Sequence, residues 1–146
     1  MADLDFTTDE LLHQARGNQT AIWHLAVRWA RERDGSVEAW AAFVGREFAP
    51  SWDEMGDDAS AREVALGAAL NMATTTDMRP VGLTGDDSRA ELLLEGPDDE
   101  SLEAFATTRE DIDRANELVF RAIAEGRGMT LESRRDDAGL HLVFSR

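Results

Sequence analysis

The chain has 146 residues, 42% of them hydrophobic, and its 30 acidic residues outnumber its 15 basic ones to give a net charge of −15. This length predicts a single domain, residues 1–146, with a core large enough to fold without disulfides or metals. The charge disfavours nucleic acid as a partner, because basic side chains that neutralise phosphates dominate that binding. The absence of cysteine excludes disulfides, thiolate nucleophiles and sulfur-ligated metals.

The sequence contains no run of about 18 apolar residues that would span a membrane. Its first ten residues, MADLDFTTDE, are acidic and polar, whereas a secretory signal is basic and then apolar. We therefore expect a cytoplasmic protein that does not bind membranes.

Two explanations compete for the acidity. A chain rich in Asp, Glu and Ala that contains no lysine has a halophilic-type composition, in which an acidic surface maintains solubility in high salt. Alternatively, an acidic face binds a basic partner. The acidic residues are scattered over nearly every predicted loop, which favours the environmental explanation.

Helix starts are predicted where a Ser or Thr is followed three residues later by a Glu, because the two residues cap each other's backbone amides. The sequence has three such capping boxes: Thr7 with Glu10, Ser60 with Glu63, and Thr107 with Glu110. Helical spacing of apolar residues extends these starts and adds a helix that is closed by Pro50. The predicted helices span residues 8–33, with a break near Gly17 left open, 37–49, 60–75 and 108–125.

Two segments alternate apolar and polar residues around a turn and so predict β-hairpins. They are MRPVGLTGDDSRAELLLEG and MTLESRRDDAGLHLVFSR. The acidic segment 95–106 between the first hairpin and the last helix is predicted to be a loop. The resulting order, α-α-α-β-β-α-β-β, favours an α+β fold with an antiparallel sheet, because a parallel sheet requires strands and helices to alternate.

The first helix carries the most distinctive polar residues. A helical wheel places His24 with Thr20, Arg28 and Arg31 on one side, and the opposite arc is expected to face the core. That arc consists of Ile22, Trp23, Leu25, Ala26, Trp29 and Ala30. No acidic residue occurs between positions 11 and 31. Either the arginines pair with carboxylates of other elements, or Thr20, His24, Arg28 and Arg31 form a cationic stripe that binds an anionic ligand or an acidic partner.

Three further residues attract attention. Asn71 interrupts an alanine-rich stretch of the third helix, where it makes either an interhelical hydrogen bond or a ligand contact. Trp52 follows Pro50 in a predicted turn, where it is either an exposed interaction residue or a cap on the core. His141 alternates with core-facing leucines and is expected to be exposed on the outer face of the sheet.

Motifs that would identify a reaction are missing. The sequence has no histidine spacing typical of a metal site, no GxSxG motif and no glycine-rich phosphate loop. We therefore predict no metal and no cofactor.

Two hypotheses of function follow. The first is a small acidic binding or interaction module for a protein partner or a small anionic ligand, in which the sheet or the tryptophan-bearing helices could join two copies as a homodimer. The second is a small enzyme or ligand sensor. Its pocket would lie between the helices and the sheet, with His24, Arg28 and Asn71 as polar groups.

Overall fold

A computed structural model describes residues 5–146 and confirms the α+β architecture. The helices in this range are α1 (Thr8–Asp34), α2 (Glu38–Phe48), α3 (Ala61–Thr75), α4 (Asp99–Phe105) and α5 (Arg109–Gly126), with a 3₁₀ helix at Ala49–Met55. The strands are β1 (Arg79–Gly85), β2 (Arg89–Glu95), β3 (Thr130–Asp136) and β4 (Gly139–Ser145). Among these residues, no helix is long and apolar enough to span a membrane.

Local signals determine most helix ends. The capping boxes at Thr7 and Ser60 form as predicted, and α1 ends where Gly35 adopts a left-handed conformation with φ 72°. The third predicted box is wrong by one residue, because Thr108 and not Thr107 caps α5 by accepting from the Asp111 amide at 3.2 Å. The break near Gly17 does not occur, and α1 is one continuous helix of 27 residues.

The predicted loop 95–106 contains helix α4, so this expectation is wrong. Its acidic start, with Asp99 and Glu100 in the first turn, resembles a turn in composition. Carboxylates are also favoured in the first turn of a helix, where they interact with its dipole. Leu102 gives the helix an apolar contact with the core.

The four strands form one antiparallel sheet in the order β1-β2-β4-β3. Both predicted hairpins are present, and the long-range pairing joins β2 to β4 at the centre. One face of this central pair is fully apolar, with Leu92 opposite Leu142 and Leu94 opposite Leu140, all buried. The hydrophobic core lies between this face and the helices.

The helices cover that face in two layers. Helix α3 packs on β1 and β2, and α5 packs mainly on β3, while α1 and α2 lie outside them. Helices α2 and α5 approach closely at Gly45, where an added Cβ would lie 2.8 Å from the Ala122 Cβ. The core cluster includes Phe120 and Ile123 of α5, so α5 is the central helix of the domain.

Candidate functional site

An apolar pocket lies among α1, α2, the 3₁₀ helix, α3 and α5. Its volume is about 130 Å³. The lining residues are Gln19, Ile22, Trp23, Val44, Phe48, Trp52, Asn71, Met72, Thr75, Thr76, Asn116, Val119, Phe120 and Ile123. None of these side chains is titratable, and most are apolar, so the pocket is suited to an uncharged, largely apolar group.

Two tryptophans form part of the wall. Trp23 packs against Trp40 with the ring centroids 5.2 Å apart. Trp52 meets the edge of Phe120 at 6.2 Å. A Cβ at Gly67 would lie 2.8 Å from the Trp52 ring, so the missing side chain of this glycine makes room for the indole. Trp52 therefore packs against the core, which is the second of the two predicted placements.

Two hydrogen-bond donors in this wall lack a partner among residues 5–146. They are Nδ2 of Asn116 and Nε1 of Trp23. Asn116 is 1% exposed, and a buried polar group without a hydrogen bond costs about 1–3 kcal/mol. Buried polar groups are nearly always hydrogen-bonded in folded proteins, so an unpartnered donor on each of two pocket residues requires an explanation.

Asn71 is the one residue of the predicted ligand set that lines this pocket. Its backbone carbonyl accepts from the Thr75 hydroxyl at 2.6 Å, and its side-chain oxygen lies 3.5 Å from the same hydroxyl. Asn71 therefore has a partner within its own helix, unlike Asn116.

The predicted orientation of α1 is only partly correct. Ala30 is buried and Trp23 packs against the core, as expected. Of the arc expected to face the core, Ile22, Leu25 and Trp29 are 60%, 51% and 52% exposed. His24, placed on the opposite side by the wheel, is fully buried. The reason is that α1 bears apolar residues on more than one face, and its polar histidine finds buried partners.

Those partners are Asp77, before β1, and Thr107, before α5. The Asp77 carboxylate accepts from Nε2 of His24 at 3.2 Å, and Nδ1 lies 2.7 Å from the Thr107 hydroxyl. The Phe105 ring packs against the imidazole with the centroids 5.4 Å apart. His24 thus joins three separate segments of the chain.

Burial opposes the ionisation of Asp77, but hydrogen bonding and charge from His24, together with the Asp98 amide, outweigh burial and lower the pKa of Asp77. The order Asp, His, Thr is that of an acid, a base and a hydroxyl nucleophile. However, His24 is fully buried and none of the three residues lines the pocket. This geometry supports a structural role for the network.

The other members of the predicted cationic stripe do not join His24. Arg28 is exposed and pairs with Glu32 at 2.7 Å, and Arg31 lies 3.7 Å from Asp111. Thr20 is half-buried. The predicted stripe is thus divided among separate environments. Arg31 pairs with a carboxylate of another element, as in the first of the two interpretations, whereas Arg28 pairs within α1.

A wider groove of about 710 Å³ lies between α2, α5 and β3. All five of its arginines have carboxylate partners: Arg31, Arg109, Arg114, Arg134 and Arg135. The hydrogen bond and charge of Glu38 and Glu117 raise the pKa of Arg114. An anion in this groove would compete with these existing carboxylates, which disfavours the groove as an anion site.

His141 lies on the outer face of the sheet, but it is only 8% exposed, so the expected exposure is wrong. Its ring nitrogens lie 2.5 Å from Glu91 and 3.0 Å from Asp136. Hydrogen bonding from His141 lowers the pKa of Glu91 and, with the Ala138 amide, lowers that of Asp136 to about 2. Neighbouring strands supply these carboxylates, which cover the ring. Within residues 5–146, no three His, Asp or Glu side chains are arranged to hold a metal ion.

No family model, curated protein or solved structure matches this chain. The site therefore has to be judged from its own geometry.

Asn116 and Trp23 are the pocket residues that the sequence interpretation missed. Asn116 carried a usable signal, because it lies four residues after Ile112 and four before Phe120, on the buried face of α5. A polar residue at an apolar helical position requires a partner. Trp23 gave no such signal, because a tryptophan on a helix that faces the core is ordinary.

Proposed function

We propose that this protein is a small-molecule binding module whose ligand occupies the apolar pocket. The observation that carries the proposal is the pair of unpartnered donors, Nδ2 of Asn116 and Nε1 of Trp23, which belong to two residues of one largely apolar wall. Both donor atoms are covered by protein atoms, so a ligand that accepts a hydrogen bond would reach them after a small shift of either side chain.

The size of the pocket supports a ligand of about one ring. A comparable apolar cavity of about 150 Å³ in another protein binds benzene. The pocket of about 130 Å³ is well below the volume typical of sites for drug-sized molecules, which is about 300–1,000 Å³. Larger ligands would have to extend past Ile22 and Phe48, which are 60% and 52% exposed and line the pocket.

The chemistry of the wall supports a neutral acceptor such as a carbonyl. No arginine or histidine lines the pocket, so a carboxylate ligand would lose its hydration without gaining a cation. We therefore replace the anionic ligand expected from the sequence with a neutral one.

The same wall favours binding over catalysis. General acid or base chemistry needs a titratable side chain within reach of the reacting atom, and the lining residues offer none. The second hypothesis from the sequence was an enzyme or ligand sensor that uses His24, Arg28 and Asn71. Only Asn71 lines the pocket, so we retain the sensor and not the enzyme. Binding of a protein partner and a cytoplasmic location remain predictions from the sequence.

Titration with benzaldehyde and toluene tests the proposal, because the two rings differ mainly in the carbonyl acceptor. We expect millimolar binding of benzaldehyde, about ten-fold tighter than toluene, since one net hydrogen bond contributes about 1–1.5 kcal/mol. Nuclear magnetic resonance of the ¹⁵N-labelled protein would show shifts of the Trp23 indole and Asn116 amide signals. If neither probe shifts these signals, the proposal is wrong.

Asn116→Leu provides the matched variant, because leucine has a similar volume and no donor. We expect it to bind toluene as before and to lose the preference for benzaldehyde. Asn71→Leu is the control in the same pocket, and it should retain that preference because the Asn71 side chain already meets the Thr75 hydroxyl through its Oδ1. If both variants lose the preference for benzaldehyde equally, Asn116 has no special role in binding.

A further inference from the structure

Helix α1 exposes a continuous line of residues at the spacing of a coiled coil. Their separations alternate between four and three residues, which is the 3.5-residue repeat that brings one helix against another. All are exposed. We call these residues the α1 seam: Leu11, Ala15, Asn18, Ile22, Leu25 and Trp29.

The seam extends beyond the body of the domain. From Thr8 to Gln19 every side chain except Arg16 is exposed, and a Cβ at Gly17 would meet nothing within 4 Å. A helical segment this short is marginal in water without packing, since isolated helices need about 12–15 residues or more. The seam itself covers about 27 Å at 1.5 Å per residue. Exposed and mostly apolar side chains in one continuous line are typical of an interaction surface.

We propose that the α1 seam pairs with the same seam of a second copy, in antiparallel orientation, to form a homodimer. Charge is the reason for choosing this partner. Residues 11–31 contain no acid in a chain of net charge −15, so two copies can approach here without opposing carboxylates. The seam is thus the part of α1 where self-association encounters the least repulsion.

The charges at the two ends of α1 determine the orientation. Its first turn holds Asp9 and Glu10, whereas its last four residues, 31–34, hold two arginines and two acids and so carry no net charge. Parallel pairing would bring the two acidic first turns together, which is unfavourable. Antiparallel pairing avoids this repulsion, because it places each acidic turn opposite the neutral end of the other copy.

The size of the seam residues fits a register centred between Asn18 and Ile22. In that register Leu11 lies opposite Trp29 of the second copy, and the small Ala15 lies opposite Leu25. Asn18 contributes a polar group near the centre, where a single asparagine specifies register at a cost in affinity. The second helix also covers Ile22 at the rim of the pocket, although the pairing does not depend on the proposed ligand.

Sedimentation of the full chain from about 1 to about 300 µM, a range chosen for micromolar affinities, tests the pairing. We expect a dimer that dissociates on dilution. Leu25→Glu should raise the dimer Kd at least ten-fold, because it introduces an acid into the seam. Leu66→Glu is the matched control, since Leu66 is a similarly exposed leucine on α3, and it should leave the Kd unchanged. Circular dichroism checks that both variants fold.

A monomer over the whole concentration range would overturn the proposal. So would a loss of dimer in Leu66→Glu equal to that in Leu25→Glu, because the seam would then have no special role.

Cross-linking tests the orientation, and the absence of native cysteine makes single-cysteine variants unambiguous. Gln19→Cys lies beside the two-fold axis and should cross-link to itself with a short bis-maleimide. Gln14→Cys should not, because antiparallel pairing separates the two copies of residue 14 by about 20 Å along the helix. Efficient cross-linking of both variants would indicate a parallel pair and would overturn the antiparallel arrangement.

Discussion

The imidazole of His24 and the carboxylate of Asp77 lie 3.2 Å apart, between Nε2 and Oδ1, and their side chains are 0% and 9% exposed. They connect residues 53 positions apart in the chain. With Thr107 on the other ring nitrogen, this contact fixes α1 against the segments that precede β1 and α5. The orientation of α1 therefore depends on buried polar bonds as much as on apolar packing.

We predict that His24→Ala destabilises the protein by about 2–4 kcal/mol, because it creates a cavity and leaves the buried Asp77 carboxylate without its main partner. Arg28→Ala should change the free energy of unfolding by less than about 0.5 kcal/mol, since its pair with Glu32 is exposed. Urea unfolding of both variants measures the difference. Equal effects would contradict the separation of these two residues in the structure.

The lowered pKa of Asp77 predicts a specific loss of stability in acid. A carboxyl whose pKa is lower in the folded state stabilises the protein above its unfolded pKa, and this contribution disappears as the pH falls through the folded value. Asp77→Asn should therefore be less stable than the natural chain near pH 7, and the gap should narrow below about pH 4. Asp137→Asn, at an exposed turn, serves as the control and should show no such gap.

Two glycines inside helices should respond oppositely to alanine. At Gly45 the new Cβ would lie 2.8 Å from the Ala122 Cβ and 3.0 Å from the Val119 Cα, so Gly45→Ala should destabilise the α2 and α5 contact by about 1–3 kcal/mol. At Gly17 nothing lies within 4 Å, and Gly17→Ala should stabilise α1 by about 0.5–1 kcal/mol. Thermal or urea unfolding gives both values. Destabilisation by both substitutions would show that α1 packs at Gly17.

The net charge of −15 predicts that salt stabilises the protein. Added KCl screens repulsion among the excess carboxylates, whose range shrinks to about 3 Å at 1 M. We expect the Tm to rise by several degrees from dilute buffer to molar KCl. A Tm that is unchanged or lower in concentrated salt would favour a basic partner as the reason for the acidity.

Features that depend on neighbours in the chain could be determined from the sequence. Capping boxes at Thr7 and Ser60 and the turns of both hairpins form where they were predicted. These signals are local, because each involves hydrogen bonds or backbone angles within about four residues. They were sufficient for the order of elements and for the α+β class.

Features that depend on partners far away in the chain could not be determined from the sequence. The sequence placed His24 on the side of α1 away from the core, because the partners of His24 are 53 and 83 residues away and do not affect the helical periodicity. Thr107 was predicted to cap α5, but its hydroxyl bonds His24 and the next residue is the cap. In both cases the prediction failed because a buried polar side chain forms a hydrogen bond with a residue that is distant in the sequence.

The residues of the pocket also differ in whether the sequence could identify them. The sequence identified Asn71 and Trp52 as residues of interest, and both line it. It did not identify Asn116 or Trp23, because a missing hydrogen-bond partner is a property of everything packed around a donor. Except for α4, the sequence determined which segments form helices and strands, since short-range bonds specify them. Only the tertiary structure decided which polar groups are satisfied, because that depends on which segments meet.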